Sequence, residues 1–185
     1  MKLIYASLIF VISGYLSIAL AQDSQENSAS CEGFYNVEMR KLRSQETVDL
    51  CQYAGKPLLV VNTASHCGYT PQFKELEAIH QAYKDDGLVV LGFPSDSFNQ
   101  EAITEAEIAD VCYVNYGVSF TMFEPSLVRG HNANEFFRAL TSQSQEPQWN
   151  FYKYLVDGSG QVVATYSNGT NPSDREFQNA VEALL

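Results

Sequence analysis

Residues 57–63 read PLLVVNT, and residues 64–72 continue ASHCGYTPQ before an apolar-periodic segment opens at Phe73. A continuous apolar run of that length suits a strand buried on both faces, as in a sheet covered by helices. Beyond the loop, Phe73, Leu76, Ile79 and Tyr83 recur at helical spacing. Pro71 stands near the start of that helix, where a missing N–H is tolerated. Strand, short polar loop and helix make the opening of a β-α unit, and Cys67 lies at its hinge. Unpaired N–H groups at a helix start favour an anion, and the thiolate is the reactive form of cysteine. Ser65, His66 and Gly68, small or polar, suggest a surface loop around it. The plain alternative is an inert buried cysteine.

Outward from this unit the same grammar repeats. Gly87 ends the first helix, and Leu88–Phe93 (LVVLGF) reads as a second buried strand. Thr104–Tyr116 is a helix candidate. Thr104 with Glu107 three residues on matches a capping box, and Gly117 fits the stop. Asn132–Leu140 reads as a third helix. Phe151–Val156 and Gln161–Tyr166 are two strands, joined by the turn-forming residues Asp157-Gly158-Ser159-Gly160. Ser173–Leu185 closes the chain as a helix capped by Ser173. Upstream, Phe34–Val37 and Thr47–Leu50 flank a charged turn and suggest an N-terminal β-hairpin. The order predicts one α/β domain over residues 31–185, with a central mixed sheet flanked by helices. No repeat or linker divides it.

The ends and the charge set further bounds. Lys2, the apolar stretch Leu3–Leu20 and the small residues of Ala19-Leu20-Ala21 predict a signal peptide over 1–21, cleaved before Gln22. Residues 22–30 read as a flexible leader. The alternative for 1–21 is an uncleaved membrane anchor. An exported protein is therefore expected, periplasmic or extracellular, with no membrane attachment after cleavage. The 185-residue chain carries a formal charge of −11. That excludes electrostatic binding to nucleic acid or anionic lipid. It also repels small anionic substrates unless local cations intervene. Cys31, Cys51, Cys67 and Cys112 allow three complete pairings, among which sequence does not choose. There is no C-x-x-C and no clustered Cys/His, so no metal site and no cofactor are expected. Asn168-Gly169-Thr170 matches an N-glycosylation acceptor pattern.

Three blocks carry a resemblance. Gly55-Lys56 leads through the first buried strand into Val61-Asn62-Thr63-Ala64-Ser65-His66-Cys67-Gly68-Tyr69-Thr70. Leu91-Gly92-Phe93-Pro94 ends the second strand. Trp149-Asn150-Phe151-Tyr152-Lys153-Tyr154-Leu155-Val156-Asp157 opens the late hairpin. In this order and spacing they resemble the glutathione peroxidase family, from about Phe34 to the C-terminus. The resemblance implies a thioredoxin-like fold and a peroxidase that reduces hydrogen peroxide or organic hydroperoxides. Cys67 then occupies the peroxidatic position, and Gln100, Trp149 and Asn150 match the family's active-site Gln, Trp and Asn. Their N–H groups can stabilise the thiolate and the leaving oxygen. One departure bears on Gln100: where the family continues Cys-Asn-Gln-Phe, this chain reads Ser95-Asp96-Ser97-Phe98, with the loop one residue shorter.

The resemblance also places Cys112 where thioredoxin-dependent members carry a resolving cysteine. A Cys67–Cys112 disulfide needs Cα atoms within about 7 Å; if the reduced fold holds the two farther apart, the helix around Cys112 must partly unwind. Val111–Tyr116 contains only middling helix formers. A thioredoxin-like reductant is expected. Glutathione, with Cys112 then structural, is the rival, as is a peroxide sensor relaying oxidation from Cys67. Cys31 and Cys51 flank the hairpin and are expected to form a structural disulfide; two free thiols or an intermolecular link are the alternatives. The short region before Trp149 lacks the loop of four-subunit members, so a monomer is expected. His66 is read as solvent-facing rather than as a base, and His80 and His131 as surface residues.

Overall fold

The computed structural model describes Cys31 and residues 35–185. The expected signal peptide, the leader and Phe34 lie outside the described residues. An antiparallel hairpin of β1 (Glu38–Arg40) and β2 (Thr47–Asp49) comes first. Its first strand begins later than the Phe34–Val37 stretch expected. The remaining elements are β3 (Leu58–Thr63), α1 (Phe73–Tyr83), β4 (Val89–Pro94), α2 (Glu105–Ala109), β5 (Thr121–Met122), α3 (Glu135–Ser142), β6 (Lys153–Val156), β7 (Val162–Tyr166) and α4 (Arg175–Glu182).

The main sheet has five strands in the order β5-β4-β3-β6-β7. β3 is its centre: it runs parallel to β4, with Leu58 opposite Val89, and antiparallel to β6, with Leu58 opposite Val156. Every residue of β3 is buried, as its unbroken apolar sequence predicts. Because side chains alternate along a strand, Leu59 and Val61 enter one core with Leu76 and Ile79 of α1 and Phe177 and Val181 of α4. Leu58 and Val60 enter the other, with Phe136, Phe137 and Leu140 of α3. There Phe93 stacks on Phe136 at 4.9 Å between ring centres. Gly92 of β4 has a packing reason: a Cβ at that position would lie 2.2 Å from Met122 Sδ.

Two local expectations are corrected. β5 was not foreseen, since two residues carry no periodicity. Ser173 does not cap α4: its hydroxyl donates to Asn171 Oδ1, and Asp174 stands at the cap position. The capping box of α2 is present, with Thr104 Oγ1 accepting from the Glu107 N–H and Glu107 accepting from the Thr104 N–H. After Ala109 the helix widens into a π-helical turn over Asp110–Asn115. Asp157 Oδ1 accepts from the N–H groups of Ser159 and Gln161, fixing the β6–β7 turn.

The hairpin is stapled to the start of α2. Arg40 of β1 pairs with both Glu105 and Glu124, and the Arg40 guanidinium holds the Glu105 carboxyl below its usual range. Cys31 and Cys51 form a disulfide with Cα atoms 5.5 Å apart, tying the chain ahead of the hairpin to the turn that follows β2.

Candidate active site

Cys67 sits where β3 gives way to α1, in a loop organised by Thr70. The single Thr70 hydroxyl proton is within reach of the carbonyls of Cys67, at 2.7 Å, and Ala64, at 2.9 Å, and the hydroxyl oxygen accepts from the Cys67 N–H. This folds the loop tightly enough that Cys67 itself is only 7% exposed, while His66, Gly68 and Tyr69 beside it are exposed, as in a surface loop. The Tyr69 N–H lies 3.5 Å from Cys67 Sγ and donates towards it.

The Gln100-Glu101 pair clamps this loop from the side. The Gln100 carbonyl accepts from the His66 N–H at 2.9 Å. Glu101 Oε1 accepts from the Ser65 N–H at 2.8 Å and from the Ala102 N–H at 2.9 Å. Burial raises the Glu101 carboxyl above its ordinary range, and these hydrogen bonds pull the other way. Its second oxygen is buried with no partner. Glu101 was missed in the sequence, where an acidic residue beside a loop reads as a solvated charge.

The Trp149–Tyr152 turn closes the third side, and Asn62 of β3 holds it at both ends. Asn62 Nδ2 donates to the Trp149 carbonyl, its carbonyl accepts from the Phe151 N–H, and its Oδ1 accepts from the Tyr152 N–H. Phe151 adopts a positive φ of 62°. Lys153, fully buried, donates through Nζ to the carbonyls of Phe151 and Thr170. Asn150 is fully buried and donates through Nδ2 to Gln100 Oε1 at 3.0 Å. The Asn150 carbonyl oxygen has no partner. Trp149 remains 38% exposed and packs on Phe98. Thus Gln100, despite its shortened loop, meets Asn150 through its side chain and the Cys67 loop through its backbone carbonyl.

Cys112 lies elsewhere, in the π-helical turn, 1% exposed. Its thiol donates only to the Ala109 carbonyl, at 3.7 Å. Burial pushes its pKa up to about 12. Cys67 and Cys112 are both free thiols and belong to one hydrophobic core. Of the histidines, His66 and His131 are exposed. His80 departs from expectation: its Nδ1 is buried without a partner, its ring meets Phe120 edge-on, and burial lowers its pKa.

Comparison with known proteins agrees with this constellation. The family described as Glutathione peroxidase matches residues 34–141. A glutathione peroxidase of Lactococcus lactis subsp. cremoris is 42% identical over 158 residues, covering 82% of this chain and 99% of the relative. Glutathione peroxidase-like peroxiredoxin 2 of Saccharomyces cerevisiae is 41% identical over 155 residues, covering 79% of this chain and 95% of the relative. The crystal structure of Trgpx in apo form shares the fold with a TM-score of 0.64 at 30% identity, over 83% of this chain and 95% of that one. The fold is the thioredoxin-like one that the resemblance implied. With more than half of the chain matched, and relatives this similar along almost their whole length, the chain belongs to the glutathione peroxidase family and is a peroxidase.

Proposed function

We propose that Cys67 is the peroxidatic nucleophile of a two-cysteine thiol peroxidase, with Cys112 as the resolving thiol and a thioredoxin-like protein as reductant. The observation that carries this reading is the Gln100–Asn150 hydrogen bond, together with the grip of Gln100 on His66. It ties two family-matched side chains to the loop of the third.

The Cys67 thiolate attacks one oxygen of the hydroperoxide. The O–O bond breaks, the sulfenic acid forms, and an alkoxide or hydroxide leaves and takes up a proton. The amide and indole N–H groups of Gln100, Asn150 and Trp149 stabilise charge on the leaving oxygen. Cys112 then attacks the sulfenic sulfur, expelling water and leaving a Cys67–Cys112 disulfide. An external dithiol reduces that disulfide and is itself oxidised. The π-helical turn supports the resolving step, because widened turns are poorly bonded and sit frequently at functional sites. Yeast relatives that are glutathione peroxidase-like peroxiredoxins favour the same class of cycle here. The Cys31–Cys51 disulfide supports an oxidising compartment, and so export behind the 1–21 signal. The short segment before Trp149 supports a monomer.

The test is peroxide turnover coupled in parallel to thioredoxin and to glutathione. Turnover with thioredoxin, lost in both Cys67→Ser and Cys112→Ser, is expected. Glutathione-driven turnover that survives Cys112→Ser would make Cys112 structural.

A further inference from the structure

The chain is strongly acidic, yet a cation stands at the edge of the peroxide site. Arg129 lies in the loop between β5 and α3, and its guanidinium carbon sits 5.1 Å over the ring of Phe98. Phe98 in turn packs against Trp149, with ring centres 5.2 Å apart. The loop is fixed against this aromatic pair, because the Val128 N–H donates to Ser97 Oγ at 3.0 Å. Arg129 is exposed. Unlike Arg40, Arg43 and Arg138, it takes part in no ion pair among the described residues. One oxygen of the Glu146 carboxylate accepts from the Gly130 N–H, and Glu146 forms no ion pair with Arg129. An aromatic face beneath a guanidinium orders it and removes water from one side. The planar fork is left to meet a carboxylate.

The geometry points to a carboxylate subsite formed by Arg129 on the Phe98–Trp149 pair, selecting hydroperoxides that carry a carboxylate at a distance from the peroxide. This rests on the peroxidase reading and names its substrate class. The acidic chain otherwise disfavours such a substrate, so the subsite decides whether it is accepted. A carboxylate could also come from the reductant. Glutathione carries two, however, and one guanidinium meets one of them.

The experiment compares a fatty-acid hydroperoxide with its methyl ester, coupled to thioredoxin and in parallel to glutathione, in wild type, Arg129→Gln and Arg175→Gln. Arg175 is exposed on α4 and controls for the lost charge. The acid-to-ester ratio of kcat/KM is expected to fall about three- to tenfold in Arg129→Gln, as for a partly screened charged pair. It should stay unchanged in Arg175→Gln, and decline with added salt in wild type and Arg175→Gln but not in Arg129→Gln. An equal ratio in wild type and Arg129→Gln overturns the subsite. A fall only in glutathione-coupled turnover also overturns it and assigns Arg129 to the reductant. Absence of turnover with hydrogen peroxide in wild type sinks the peroxidase reading instead, a distinct result.

Discussion

Cys67 and Cys112 share one hydrophobic core, but their surroundings are built oppositely. The Cys67 loop is held by Thr70, by the Gln100 carbonyl and by Glu101, all through short hydrogen bonds to backbone groups. The turn around Cys112 has a firm start, with a capping box and the Arg40 staple on Glu105. It then loosens into a π-helical stretch whose residues Tyr113, Val114 and Asn115 are exposed. On the proposed cycle the contrast is between one thiol placed for attack and another held in store. Burial raises the Cys112 pKa, which on that reading keeps the thiol unreactive until the turn opens.

The sharpest way to break this contrast is to remove the stored thiol. Cys112→Ser should consume one equivalent of peroxide at the wild-type rate and then stop when thioredoxin is the reductant, as read by stopped-flow and intact mass. Continued turnover would show that Cys112 is not the partner. Next in size is the clamp. Glu101→Ala removes the acceptor for the Ser65 N–H and should slow Cys67 oxidation about tenfold, equivalent to about 1.4 kcal/mol. Glu101→Gln keeps an acceptor and should recover most of the rate. If both variants react equally fast, the loop does not depend on the clamp.

The hairpin side should behave differently, with stability moving and chemistry unmoved. Opening the Cys31–Cys51 disulfide, across a sequence separation of 20 residues, by a double Ser substitution should cost about 3 kcal/mol in urea unfolding. The rate of Cys67 oxidation should be unchanged. A slowed oxidation would mean that the hairpin reaches the peroxide site through the Arg40 staple. The remaining test concerns Lys153. Burial lowers its pKa to about 7, against an ordinary value of 10.5. Between these values the unfolded chain keeps a proton that the folded chain has released, so stability rises with pH. Urea midpoints measured from pH 7 to 9.5 should climb in wild type and flatten in Lys153→Met. Above that window Tyr35 and Tyr113 work in the opposite sense, because their pKa values are raised to about 12.

The buried strands, the alternation of elements and the late hairpin were legible because each rests on local signals: apolar runs, a capping box, a turn rich in glycine. Cys67, Gln100, Trp149 and Asn150 were found by their motifs, and the structure brings Gln100 and Asn150 into contact. Glu101, Asn62 and Lys153 were not singled out for a role. Their work is to bind backbone groups far along the chain, and no spacing rule encodes a partner such as Tyr152 or Thr170. Arg129 escaped for the same reason, since Phe98 is its neighbour only in space. β5 is two residues long and takes its identity from its neighbour β4 rather than from its own pattern.

The widened turn at Asp110–Asn115 has a consequence for anyone who edits this chain. A π-helical turn holds more backbone than an α-helical turn over the same rise, so it acts as slack in a cord. Deleting one residue between Tyr113 and Asn115 would take up that slack and leave a stiff rod. Such a protein would still be oxidised by peroxide at Cys67, but its second sulfur would have no length of chain on which to travel.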